Sequence, residues 1–412
     1  MTVSILTQLA QSVSANQFPI DLQSLESAIT ETSGVADVHI EQLSQLGVEV
    51  EGESDKISDA NCVSDNLTDL VDKSIAIYGD GGFDNKGAEI LRLSVGSLFV
   101  SHGIYIPATL VVPAFESNVT YSTEVAEKKA GIISRILTWL HEAMKTIASA
   151  FVKFWESLVD SSKSVGDYAD KVKAKVAAIK AGSRTDVTEV NIGNASSYLV
   201  DKHSKIEPPS RHVVQTVAIF EDFVIEWRTG WKQMIEVQLP SSITTDENAE
   251  VLSKRIVQLA KDSLAVKAKI KMDITPNHYL EMIPGTGATP LMSTKIKINQ
   301  SIVANTTKAN MLSLSELKIS IGVCHDGLKV LEQLKHEMEA FTGITGKVGK
   351  LTKSVTLPEG SKTDVAETRV ALSSLNKACS LAAWGWINSA PYFLKTIKAS
   401  IRYVDVCAGH YR

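Results

Sequence analysis

With 412 residues, 44% apolar and 22% charged, the chain is too rich in core-forming side chains to be a disordered polymer and long enough for two or three domains. Its formal net charge of −5 conceals two unlike parts. Residues 1–120 hold seventeen Asp and Glu against Lys56, Lys73, Lys86 and Arg92, a net of −13, and the rest holds 38 bases against 30 acids, a net of +8. Either the domains simply differ in charge, or an acidic segment masks, or is later removed from, a basic body meant for an anionic partner.

In chain order, residues 1–60 read as weakly amphipathic helices with polar spacers, closing on the acidic run Glu49–Asp55. A small α+β unit follows: a strand at Ser74–Tyr78, a Gly-rich turn, a short helix over Lys86–Leu93, and strands at 97–100, 104–106 and 110–112. The charge-free stretch Leu93–Phe115 has the length of a bilayer span. Gly96, Gly103, Pro107 and Pro113 favour short buried strands there instead. After Pro113 the chain turns polar and extended, which marks a domain boundary.

The strongest periodicity runs from Val125 to Leu158. Ile133, Ile136, Leu140, Met144, Ile147, Phe151, Phe154 and Leu158 recur every three or four residues and predict one long amphipathic helix. From Leu140 onward the steps alternate four and three, the seam of a helix lying along another. Trp139 and Trp155 widen the stripe, and Lys128, Lys129, Arg135, Lys145 and Lys153 edge it. Such a helix fits a buried core helix, a partner-binding helix or a membrane-surface helix. A break near Ser161–Gly166 leads to a second, Lys-rich helix over Asp167–Ala181, stopped by Gly182.

Strands are expected at Val213–Ile219, Phe223–Trp227 and Gln233–Leu239, with a turn at Arg228–Gly230. Asp246 caps a predicted helix to Val266. Strands at Lys269–Ile274, Tyr279–Ile283 and Lys295–Ile298 flank the turn chemistry of Pro284–Pro290. Ser313-Leu-Ser-Glu316 is a capping box opening a helix through Phe341. Residues 342–363, rich in Gly and Lys, read as a loop. The chain closes with a helix over Asp364–Val406, interrupted at Pro391.

Chemistry-bearing motifs are sparse. The segment Gly79–Gly87 follows a strand and precedes a helix, as a phosphate-cradling turn would, yet it meets neither the P-loop nor the dinucleotide pattern nor the EF-hand order. Cys324, His325 and Asp326 with His336, Glu337 and Glu339 carry metal-type groups at separations that match no zinc arrangement. The four cysteines, Cys62, Cys324, Cys379 and Cys407, lie far apart without C-x-x-C spacing, which suits a reducing compartment. The N-terminus lacks the basic and apolar regions of a secretory signal. No catalytic residue, metal, cofactor or small-molecule substrate is expected. Lys-rich stretches at 163–180 and 347–362 suit non-specific phosphate contacts.

The run AEKKAGIISRILTWLHEAMKTIASAFVKFWESLVDSSKS (126–164), the turn NHYLEMIPGTGATP, the capped helix MLSLSELKISIGVCHDGLKVLEQL and the ending YFLKTIKASIRYVDVCAGHYR resemble the internal head and structural virion proteins of very large tailed bacteriophages, over residues 125–412. The resemblance implies a structural, non-enzymatic protein inside the phage head, made in the host cytoplasm. Its expected partners are other head proteins, packaged DNA and a viral prohead protease that cuts after a small-x-Glu sequence. Ala114-Phe115-Glu116 matches that sequence where the charge changes sign. Gly47–Glu49, Gly87–Glu89 and Ser122–Glu124 match it too.

The expected architecture is therefore α+β in three parts: an acidic region 1–116 readable as a propeptide, a helical hairpin over 117–182, and a basic α+β domain over 183–412. The alternative function is a membrane-active or partner-binding module using the 125–158 helix.

Overall fold

The structure, a computed structural model, describes residues 22–78, 93–94, 97, 121–180, 182–183, 185–201, 203–231, 270–285, 291, 293–331, 334, 340–346, 348, 350 and 365–411. The fold is α+β, as the sequence indicates, and three long helices dominate it. Helix α1 spans Leu22–Tyr78, α2 spans Tyr121–Ala178, and α6 spans Val365–Ala408. Between α2 and α6 the chain forms β1 (Glu189–Asn191), a 3₁₀ turn (Gly193–Ala195), α3 (Ser196–Leu199), α4 (Pro209–Trp231), β2 (Ile270–Thr275), β3 (His278–Ile283), β4 (Lys295–Gln300), β5 (Lys308–Asn310) and α5 (Leu314–Gly327).

Buried positions on α1 fall at Ile29, Thr32, Ala36, Ile40, Leu43, Val50, Ser54 and Ile57, steps close to the three-and-four rhythm of a helix packed along its length. On α2 they fall at Ile147, Ala150, Phe154, Leu158, Ser161, Val165, Tyr168, Val172 and Val176. Contacts pair Glu26 with Lys175 and His39 with Ser164, so α1 and α2 run antiparallel. Asp37 with Lys398 and Ser54 with Lys377 make α1 antiparallel to α6 as well. Helix α6 is apolar or small on nearly every face between Ala371 and Ile401, nearly all of it buried. That is the pattern of a helix surrounded by others. It touches α1, α2, α4, α5 and the strands.

The strands form an antiparallel meander β2-β3-β4 and an antiparallel pair β1-β5. The meander strands fall where alternation and turn chemistry place them. Asn277 locks the β2–β3 turn: its amide donates to Ser197 O at 3.0 Å and Ile302 O at 2.8 Å. The capping box at the start of α5 is complete, with Ser313 N–H donating to Glu316 Oε2 at 2.7 Å and Glu316 N–H to Ser313 Oγ at 3.3 Å.

Several expectations are corrected. Residues 22–78 form one helix, and the strand expected at Ser74–Tyr78 is its last turns. No break occurs at Ser161–Gly166. Ser161 and Ser164 return their hydroxyl hydrogens to the carbonyls of Ser157 and Asp160, so buried polar side chains are satisfied within the helix. The strands at Val213–Ile219 and Phe223–Trp227 and the turn at Arg228–Gly230 are all part of α4. The β-branched residues suggested strands, but His212, Val213, Thr216, Phe220, Phe223, Val224, Trp227 and Trp231 are buried at helical spacing, and Pro209 suits the first helical position. Packing overrides propensity there.

Helix α5 ends at Gly327 rather than Phe341. Residues 342–346, expected as loop, are helical, with Phe341 and Ile344 buried. Pro391 does not interrupt α6. A proline removes one backbone hydrogen bond, and burial of Ile387, Ala390, Phe393 and Leu394 on both sides clamps the helix through it. The predicted elements at 86–93, 104–106, 110–112, 233–239 and 246–266 lie outside the described residues or nearly so.

Candidate functional site

The charge asymmetry has a structural counterpart where α1 meets the helices beneath it. Helix α1 carries twelve acids and two bases, whereas α2 has nine bases and seven acids and α6 has five bases and two acids. Several cations of the body meet α1 through polar contacts. Lys171 donates to the Ala28 carbonyl at 3.1 Å and to the Thr32 hydroxyl. Lys175 bonds Asp405 of α6 at 2.8 Å and lies 3.9 Å from Glu26. Lys377 donates to Ser54 Oγ at 2.7 Å and Ser54 O at 3.0 Å. Lys398 pairs with Asp37.

Burial drives the electrostatics of this face. It pushes the Lys377 ammonium down to about 8, against the pull of Asp55, Asp59 and Glu51. It also holds Lys398 below the ordinary lysine value, while the hydrogen bond and charge of Asp37 pull the other way and Arg402 pushes it further down.

Two clefts open along the contact. One, of about 360 Å³, lies between Glu51, Ser54 and Asp55 of α1, Lys295 and Lys297 of β4, and Lys377. The other, of about 280 Å³, is lined by Asp37, Asn194, Tyr198, Lys395, Lys398 and Arg402.

A second polar cluster lies under the meander. His278 sits between the rings of Tyr198 and Tyr392, with centroids at 5.5 and 4.9 Å, and its Nδ1 is 3.0 Å from Thr275 Oγ1. His212 Nε2 lies 2.9 Å from the Tyr198 carbonyl. Burial lowers both histidines to about 4, so they are neutral at pH 7 and tie α4, α6 and the β2–β3 turn together.

Of the residues singled out in the sequence, Ile147, Phe154 and Leu158 are buried in the core facing this chain's own helices. The side chains of Ile133, Ile136, Leu140, Met144 and Phe151 lie outside the described residues, as do Ala114, Phe115, Glu116 and the loop Gly79–Gly87. Cys324 is fully buried with its thiol pushed up by burial, while His325 faces Asp170 at 3.8 Å. His336, Glu337 and Glu339 are not described. Among the described residues no three His, Cys, Asp or Glu side chains gather as a metal site, and no helix is long and apolar enough to cross a membrane. Sequence reasoning missed the cations of α6. Their signal was present as Lys395, Lys398 and Arg402 at helical spacing toward the end of the helix.

Long helices bundle around a buried axis, with an acidic helix laid over a cationic face. The chain belongs to the phiKZ-like phage internal head proteins, whose pattern it matches over residues 20–406. It is a structural virion protein of the bacteriophage head interior, associated with other head components. The match reaches back through α1, well beyond the 125–412 span of the sequence resemblance. No curated protein and no solved structure matches the chain.

Proposed function

We propose that this internal head protein is made with an acidic N-terminal propeptide, that the viral prohead protease removes it after Glu116, and that the basic remainder stays against the packaged DNA. The observation that carries this reading is the coincidence of charge and contact. Residues 1–116 hold all seventeen acids and all four bases counted above, and the helix they contribute covers Lys171, Lys175, Lys377 and Lys398. Removing them leaves a net charge of +8, suited to phosphate contacts without base reading. The sequence just after Pro113, including Glu116-Ser-Asn-Val-Thr120, is polar in composition, which suits a protease site. Helix α2 then serves as internal packing for the body. Mass spectrometry of the protein from mature particles is the test: an N-terminal peptide beginning at Ser117 is expected, and an intact acidic region there would overturn the reading.

A further inference from the structure

The cleft on α6 beside the 3₁₀ turn gathers three cationic side chains. Lys395, Lys398 and Arg402 stand one and two turns apart along one side of α6 and line the same cleft, with Tyr198 and Asn194 opposite. Among the described residues, Asp37 of α1 supplies the carboxylate that answers them, by pairing with Lys398. Asp37 is 74% exposed and Lys398 11%, so the carboxylate stands at the mouth while the ammonium lies inside. No described carboxylate pairs with Lys395 or Arg402. Burial holds the Tyr198 phenol above its ordinary value, which keeps its O–H as a donor at neutral pH.

We propose that this cleft is a binding site for a backbone phosphate of DNA, and that the Asp37 carboxylate occupies its mouth in the precursor as a stand-in for that phosphate. A phosphate is tetrahedral, anionic and rich in acceptor oxygens. An exposed guanidinium offers it two parallel donors, two ammonium groups add point charges, and a phenol and an amide complete the donor set. A cleft of about 280 Å³ has room for a phosphodiester and its sugars, with the bases left outside. Recognition is therefore independent of sequence. The site rests on the reading that the body lies against packaged DNA, and it adds one location and one gatekeeping residue to it.

The test is a fluorescence-anisotropy titration of the full chain with a labelled short duplex at several salt concentrations. Asp37→Asn should tighten binding by about fivefold to tenfold at low salt and steepen the salt dependence by about one counterion, as one added phosphate contact would. Arg402→Gln in the Asp37→Asn background should cancel both changes, and Arg402→Lys should retain most of the gain. Glu226→Gln on α4, an exposed site, makes the same change of net charge away from the cleft and should gain much less. Circular dichroism establishes that each variant is folded. An equal gain from Glu226→Gln, or no gain from Asp37→Asn, overturns the cleft. Because removal of the N-terminal region is read from mature particles, a failed cleft and a failed maturation scheme give different results.

Discussion

Lys377 is a buried cation where the acidic helix meets the body, and replacing it separates charge from packing. Its side chain is 4% exposed, and burial moves its pKa from 10.5 to about 8. At about 1.4 kcal/mol per unit, the ammonium is disfavoured in the fold by roughly 3 kcal/mol. Lys377→Met keeps the aliphatic stem and removes the charge, so at pH 7 it should range from neutral to about 3 kcal/mol more stable than the parent. Ser54→Ala, which deletes an acceptor and leaves the ammonium buried, should lose about 1–3 kcal/mol. The sign with pH follows from proton counting. Between about 8 and 10.5 the unfolded lysine keeps its proton while the folded one releases it, so stability rises with pH. That stability is fully present above pH 10.5 and is lost as pH falls through about 8. The advantage of Lys377→Met should therefore close across this window in urea unfolding followed by circular dichroism. A loss beyond about 2 kcal/mol for Lys377→Met at pH 7, or a gap that ignores pH, would refute the reasoning.

Gly385 faces the Trp227 indole so closely that an added Cβ would lie 2.1 Å from Cζ2. With Trp227 buried against Phe223 and Trp231, Gly385→Ala should cost about 1–3 kcal/mol through overpacking. Gly34→Ala on α1 meets nothing within 4 Å and should gain up to about 1 kcal/mol from helix propensity; urea midpoints that move together would sink this account. His212 and His278, lowered from 6.5 to about 4 by burial, stay neutral in the fold while the unfolded chain takes up protons. Their contribution is full above pH 6.5 and is lost as pH falls toward 4. His278→Gln should flatten the fall in unfolding midpoint over that window by about one proton, and an unchanged slope would count against it.

The parts of the fold legible in the sequence were those decided locally. Alternation and turn residues placed β2, β3 and β4 to within a few residues, and Ser313 with Glu316 gave the start of α5 outright. What escaped was decided by packing. Val213, Val214, Val217 and Ile219 looked like strand residues until Phe220, Phe223 and Trp227 proved to be buried on one helical face. Ser161, Ser164 and Pro391 looked like breaks, but each lies in a helix pressed between others. The cationic face was illegible for another reason. Lys377 and Lys398 find their partners at Ser54 and Asp37, more than 300 residues away, and no local pattern encodes a contact of that range. The charge split announced that acid and base were separated, not which residues would meet.

The contacts of α1 also determine what kind of mask it is. Glu26 and Asp37 of α1 meet cations of the body, whereas Lys171, Lys377 and Ser164 are met by hydroxyls, carbonyls or His39. Five further carboxylates of α1, Glu31, Glu41, Glu49, Glu51 and Asp55, lie on exposed positions. The apolar seam of Ile29, Ile40, Leu43, Val50 and Ile57 therefore holds α1 in place, and its charge acts outward, repelling a polyanion over about one Debye length, roughly 10 Å. Salt weakens that repulsion without loosening the seam, since apolar burial depends little on screening. In the proposed maturation, cutting the chain near Glu116 changes only its connectivity. Lys398 and Lys377 are uncovered when the seam itself separates, so cleavage and exposure of the basic face are distinct steps.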